Sequence, residues 1–277
     1  MTGNRGPGLR LKHLGIDTYR EYVIYLNHDS HVCRSEGFEV RSRVRVSLNG
    51  KTIMATLNIV TSALLGIEEA SLSEAAWQAL SAREGDPIHV SHAGQLNSES
   101  SLRKKVYGGT LNREEIDLIV TELSRGLYDD IHLAAFITAC AGERLTVDET
   151  LGLTRSMIAV GDRLNWSANI VADKHCIGGL PGNRTSMIIV PIIAAAGLVI
   201  PKTSSRAITS PAGTADAMET LTRVNLDIAD MRRVVEREGG CIAWGGAVHI
   251  SPADDILIGV ERPLDFDSEG QLVASVL

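Results

Sequence analysis

The sequence predicts a multidomain α/β protein, and three changes of pattern along the chain predict it. Between about Leu9 and His92, short β-branched stretches are separated by turn residues. From about Ser101 to Trp166 apolar residues recur at helical spacing. From Asn169 onward apolar strands alternate with amphipathic helices. These changes place a β domain at 1–93, a helical domain at 94–168 and an α/β domain at 169–277.

In the first region TYREYVIYLN, FEVRSRVRVSL, KTIMATLNIV and DPIHVSH read as strands. Val40, Val44, Val46 and Leu48 alternate with polar residues, and Asn49-Gly50 is a hairpin turn signal. Arg41, Arg43 and Arg45 then fall on the solvated face of that strand. Ser71 with Glu74 reads as a capping box for a helix over EAAWQALSA, with Gly85 beyond its end. The polar stretch Gly94 to Ser101 reads as a linker.

In the helical region Ile116, Ile119, Val120 and Leu123 share a face, with Glu114 and Glu115 in the first turn, where the dipole favours acids. Leu133, Phe136 and Ile137 mark a second helix, and Thr146 with Glu149 caps a third. His132 and Asp162 read as surface or capping residues. In the last region MIIVPIIAAAG is expected to be a buried helix, LVIPKTSS a strand and loop, and GTADAMETL a helix start. LDIADMRRVVERE is a helix stopped by Gly239-Gly240, CIAW a strand, and Ser251-Pro252 opens another helix. QLVASVL reads as the first turns of a further helix whose remainder is expected beyond Leu277.

The 277 residues are 44% hydrophobic and 22% charged, enough for a sizeable core. A formal charge of −7 argues against general nucleic-acid binding. Cys33, Cys140, Cys176 and Cys241 are widely spaced, without a CxxC pair or zinc-type His spacing, and are expected to be thiols in a reducing compartment. The N-terminus lacks an apolar signal-peptide core, and Pro191, Gly197 and Pro201 interrupt the longest apolar run. A cytoplasmic protein without membrane or metal partner is the expectation.

The chemistry-bearing stretch is Asp173 to Glu219. Lys174, Gly178, Gly179, Gly182, Thr185 and Ser186 precede an apolar run; Ser204, Ser205, Arg206, Thr209, Ser210, Gly213 and Thr214 follow it. Hydroxyls, loop amides and a helix N-terminus with a lysine suit an oxyanion, with an organic group on the other side. The alternative is that these glycines serve tight turns and close packing. Neither GxxxxGK[ST] nor GxGxxG after a strand is present, so an ATP or dinucleotide site is not expected.

KHCIGGLPGNRTS and PIIAAAGLVIPKTSSRAITSPAGTADAME resemble the signature of the thymidine and pyrimidine-nucleoside phosphorylases. CIGG, PGNRT and SSRAITSPAGTAD are nearer the branch that contains the AMP phosphorylases and bacterial proteins labelled "putative thymidine phosphorylase". The likeness extends to RKKVYGGTLNREEIDLIV and to the β domain, which it identifies with a small double-psi-like barrel; the family's α/β domain continues past Leu277.

The resemblance implies cleavage of an N-glycosidic bond by orthophosphate, giving a base and a sugar 1-phosphate. No cofactor is required, and a homodimer is the expected assembly. It puts Lys174, Cys176, Ser186, Ser204 and Thr214 around phosphate, Cys176 standing where the thymidine enzymes usually have serine. His175, Gly179, Ser205, Arg206, Ala207, Ile208, Thr209 and Ser210 would face the nucleoside or nucleotide, as would Thr214. Asp267 matches a proton donor, its alternative being a surface N-cap, and Ser275 a base-side contact. Lys174 would be catalytic by fixing the phosphate that attacks an oxocarbenium-like C1′. Closure would occur about loops near Trp166 to Asn169.

The pyrimidine-facing arginine of the thymidine enzymes falls on Val260, and Arg206 could neutralise a 5′-phosphate, which favours a nucleoside monophosphate such as AMP. The alternative function is a catalytically incompetent phosphate- or nucleotide-binding scaffold with a shortened α/β domain.

Overall fold

The computed structural model describes residues 8–18, 21–38, 40–175, 182, 184–207, 212–248 and 250–264. Its contacts divide the chain into two units: Met1–Leu96 with Arg125–Asp129, and Asn97–Ser124 with Asp130–Leu277.

The first unit is built on a closed six-stranded barrel. Its elements are β1 (Leu9–Leu11), β2 (Val23–Asn27), α1 (His31–Glu36), β3 (Arg43–Leu48), β4 (Lys51–Val60), β5 (Glu69–Leu72), α2 (Glu74–Leu80) and β6 (Pro87–His92). The strands close in the order β1-β5-β2-β4-β3-β6, with β1–β5 and β2–β4 parallel and the other pairs antiparallel. Closure leaves no edge strand exposed. Alternation fixes the inward face: Val44, Val46 and Leu48 join Ile24, Leu26, Leu57 and Leu72 in the core. The β3–β4 hairpin turns at Asn49 (φ 49°) and Gly50 (φ 81°), as their dipeptide predicts.

Two local expectations change. The helix cap is Ser73, not Ser71: the strand runs on through Leu72, Ser71 is buried in β5, and the Ser73 hydroxyl donates to the Glu21 carbonyl and accepts from the Val23 amide. Arg43 is not merely solvated, because its guanidinium donates to the Gly126 carbonyl at 2.7 Å and to the Thr56 hydroxyl at 3.0 Å. The segment Arg125–Asp129 therefore belongs with the barrel.

The second unit opens with four helices, α3 (Glu99–Val106), α4 (Arg113–Ser124), α5 (Asp130–Cys140) and α6 (Val147–Val160). Helix α3 begins inside the stretch that reads as a linker. Its entry is fixed by Glu122, whose carboxylate accepts from the amides of Asn97 and Ser98 and the Ser98 hydroxyl. The capping box of α6 forms as expected, with Thr146 and Glu149 exchanging side-chain and backbone hydrogen bonds.

There follow α7 (Thr185–Ala195), β7 (Ile200–Ser204), α8 (Thr214–Glu219), α9 (Ile228–Glu238), β8 (Gly240–Trp244), α10 (Gly245–Val248) and α11 (Pro252–Leu264). β7 and β8 pair in parallel from Ile200–Gly240 to Ser204–Trp244, and Val171 bridges Val199, also in parallel. Helix α9 ends at Gly239 in the left-handed region, φ 78°. Helix α11 packs back on α4, α5 and α6, joining this layer to the helical one. Helix α7 is not buried as expected: Val190 faces the sheet, but Ile188 and Ile192 are 62% and 59% exposed. Among the described residues the sheet supplies only one flank for α7, so its largely apolar sequence has a second face in solvent.

Candidate functional site

The parallel bridge at Val171–Val199, with the Ala172 amide donating to the Val199 carbonyl at 2.7 Å, sends residues 172–175 off in the direction of β7. Lys174 and the Ser204 end of β7 thus leave the sheet at its C-terminal side, where open α/β sheets bind ligands.

Lys174 Nζ lies 3.4 Å from Ser186 Oγ. Ser186 is fully buried in the first turn of the 11-residue helix α7, at the positive end of the helix dipole, where the amides of Thr185 and Met187 donate to the carbonyls of Gly182 and Arg184. Neighbouring Asp173 holds His175: carboxylate and Nε2 are 2.7 Å apart. Burial pushes the Asp173 carboxyl up, but the His175 contact, the Lys174 amide and the charge of Lys202 outweigh it and hold the acid below its usual range.

The second segment is tied by a carboxylate. Asp216 Oδ2 accepts from the Ala207 amide at 2.7 Å and the Gly213 amide at 2.9 Å, and Oδ1 from Arg206 at 3.1 Å. Arg206 also bonds Glu219, in a two-pronged pair at 2.6 and 2.8 Å, and the Asn225 side-chain oxygen at 3.4 Å, and its guanidinium carbon sits 4.8 Å from the Trp244 ring centroid. Bonding to Glu219 and Asp216 raises the pKa of Arg206 further, despite burial. Burial pushes the Asp216 carboxyl up, but the two amides and Arg206 bring it below the normal range. Ser204 donates to the Ser205 carbonyl at 3.1 Å, and Thr214 is buried at the first position of α8.

The structure therefore brings Lys174 to Ser186, and through Asp216 it joins the Ser205–Ala207 backbone to the Gly213–Thr214 turn. Cys176, Gly179, Ile208, Thr209, Ser210, Asp267 and Ser275 lie outside the described residues. Three residues at this site were not singled out in the sequence. Lys202 is buried in β7, donates to the Thr203 carbonyl and acts on Asp173 through its charge; a lysine inside LVIPKTSS was the available signal. Asp216 and Trp244 gave no comparable sign, because an acid in a first turn and an aromatic at a strand end are ordinary. Among the described residues no group of three or more His, Cys, Asp or Glu could hold a metal, and no helix is long and apolar enough to cross a membrane.

Residues 99–161 match the helical bundle domain of a glycosyl transferase family, and residues 168–268 match that family's a/b domain. The chain belongs to this glycosyl transferase family. Similar curated relatives include a "Putative thymidine phosphorylase" of Polaromonas sp. strain JS666, 60% identical over 269 residues, covering 97% of this chain and 53% of the relative. A "Putative thymidine phosphorylase 2" of Acidovorax sp. strain JS42 is 58% identical, covering 100% and 54%. The "Putative thymidine phosphorylase" of Legionella pneumophila strain Corby is also 58% identical, again covering 100% and 54%. This glycosyl transferase chain thus spans about half the length of the curated relatives it matches. Among solved structures, anthranilate phosphoribosyltransferase of Thermus thermophilus aligns at 22% identity with a TM-score of 0.49, over 64% of this chain and 54% of that one.

Proposed function

We propose that this glycosyl transferase carries out phosphorolysis of the N-glycosidic bond of a nucleoside. The observation that carries the reading is the Lys174–Ser186 contact at the N-terminus of α7, a cation and a buried hydroxyl at the positive end of the helix dipole. The names of relatives near 60% identity support the same chemistry. In the reaction an oxygen of orthophosphate bonds to C1′ while the C1′–N bond breaks, its electron pair passing to the base, which takes up a proton. Lys174 would hold the dianion as a point charge, with Ser186, Ser204 and Thr214 directing its oxygens. The dianion also offsets the positive charge that develops at C1′. Asp267 remains the proposed proton donor on the resemblance alone. Orthophosphate is the co-substrate and no organic cofactor is invoked; a homodimer is likewise proposed from the family likeness.

The surroundings of Arg206 bear on the choice between nucleoside and monophosphate. Its single positive charge faces both Asp216 and Glu219, so a 5′-phosphate placed there would meet an excess of negative charge. This favours an uncharged 5′ end, thymidine being the first candidate, over AMP.

The test is base release from a panel of nucleosides and monophosphates, with and without phosphate, by the wild type and Lys174→Ala. Phosphate-dependent release is expected, with kcat/KM at least about 100-fold lower in the variant, the scale of losing one oriented charge-stabilising group. An unchanged far-UV spectrum would show that the fold persists. Near-normal activity of Lys174→Ala would remove that residue from the mechanism. Phosphate binding without release from any panel member would favour a binding protein.

A further inference from the structure

We propose that Asp216 is a positioning residue that holds the two halves of the second donor-rich segment, Ser204–Ala207 and Gly213–Thr214, in the register that meets an oxyanion. This deepens the phosphate reading above and rests on it.

The argument begins with convergence. One carboxylate oxygen takes the amides of both Ala207 and Gly213, which come from opposite ends of the segment, while the other takes Arg206. The two backbones touch: a Cβ on Gly213 would lie 2.7 Å from the Ser205 carbonyl oxygen and 2.7 Å from the Arg206 carbonyl carbon. Only glycine permits that approach, and only an acceptor spanning the gap satisfies both amides. The third contact anchors the arrangement to the sheet, because Arg206 stacks on Trp244, and Trp244 is the register partner of Ser204. The path thus runs from Ser204 through Trp244, Arg206 and Asp216 to Gly213 and Thr214.

Ser204 and Thr214, two of the three hydroxyl-bearing residues the resemblance places at phosphate, stand at the ends of that path. With the clasp in place they are pre-aimed, and binding does not have to order them. Without it the donors remain but must be assembled by the ligand. The consequence is weaker phosphate binding with turnover at saturating phosphate little changed, a split that a residue touching the reacting atoms would not give.

Three proteins test this: wild type, Asp216→Ala and Asp216→Asn. Backbone amide exchange at Ala207 and Gly213 reads the clasp, and titration with inorganic phosphate reads its consequence. In Asp216→Ala both amides should exchange at least about tenfold faster, and the Kd for phosphate should rise at least about tenfold, as for a lost pair of half-buried contacts to a charged acceptor. Asn keeps one oxygen with two lone pairs for the two amides but turns its NH2 toward Arg206, so Asp216→Asn should restore phosphate affinity in part, to a value between those of Asp216→Ala and wild type. Fast exchange in Asp216→Ala with unchanged phosphate affinity would overturn the proposal. So would an Asn variant as impaired as the Ala variant. Wild-type protein that protects both amides yet binds no phosphate would overturn the phosphate reading, and the positioning role with it, leaving the clasp as a feature of the fold alone.

Discussion

Glu149 shows how a single residue can serve cap, core and charge at once. Its Oε2 accepts from the Thr146 amide and hydroxyl, while Oε1 accepts from the Leu111 amide at 2.9 Å and from Lys105 Nζ at 2.7 Å. Both side chains of the ion pair are nearly fully buried. Burial pushes the Glu149 carboxyl up, yet the Leu111 amide, Lys105 and the Thr146 amide outweigh it, so its pKa lies below the usual range. A depressed carboxylate contributes stability that is present above its unfolded pKa and lost as pH falls through the folded one. Urea unfolding between neutral pH and pH 3 should therefore show stability declining below about pH 4.3, the unperturbed glutamate value. Glu149→Gln should be destabilised by roughly 3–5 kcal/mol at neutral pH, because Lys105 is left buried without its counter-charge. The variant's pH slope should also be shallower than that of the wild type; an equal slope would show that Glu149 does not set it. Nearby, burial pushes the Cys140 thiol up to about 12, so it stays protonated and unreactive at neutral pH.

Helix α7 separates what its sequence carries from what it does not. A largely apolar segment after a glycine-rich stretch specifies a helix, but the number of faces covered depends on neighbours that the segment itself does not encode. Val190→Ala should cost about 1–3 kcal/mol by opening space against β7 and β8, whereas Ile192→Lys should change stability by less than about 0.5 kcal/mol. Denaturant midpoints for the two variants decide it, and equal losses would mean both faces are covered. The same distinction governs legibility elsewhere. Asn49-Gly50 and Thr146 with Glu149 were readable because each places a local hydrogen bond or a positive φ within four residues. Ser71 misled because Ser71 and Ser73 both precede Glu74, and only the extent of β5 decides which of them caps. At the candidate site, the clustering of glycines, hydroxyls and a lysine drew attention to Lys174, Ser186, Ser204 and Thr214, and the likeness to a known family gave them roles. Asp216 escaped notice because its meaning lies in contacts with Ala207 and with Arg206, nine and ten residues away, which no periodicity reports.

At the scale of the whole molecule, each unit has its own core: the barrel closes on Ile24, Leu57 and Val46, and the second unit packs Met231 and Val235 of α9 with Ala243 of β8. A ligand that binds only the folded form of one unit stabilises that unit by mass action, by about 2.7 kcal/mol at a hundred times its Kd. The residues proposed for phosphate, from Lys174 to Thr214, all belong to the second unit. Calorimetric scans should therefore show phosphate raising the transition that reports this unit, and the rise should be lost in Lys174→Ala. Leu57→Ala provides the control, because a cavity in the barrel should lower that unit's stability by roughly 2–5 kcal/mol. If the phosphate site is built within the second unit, Leu57→Ala should keep a wild-type phosphate response even as its barrel melts earlier. A phosphate shift abolished by the barrel cavity would mean that the anion is held by the first unit, and the site would have to be sought there.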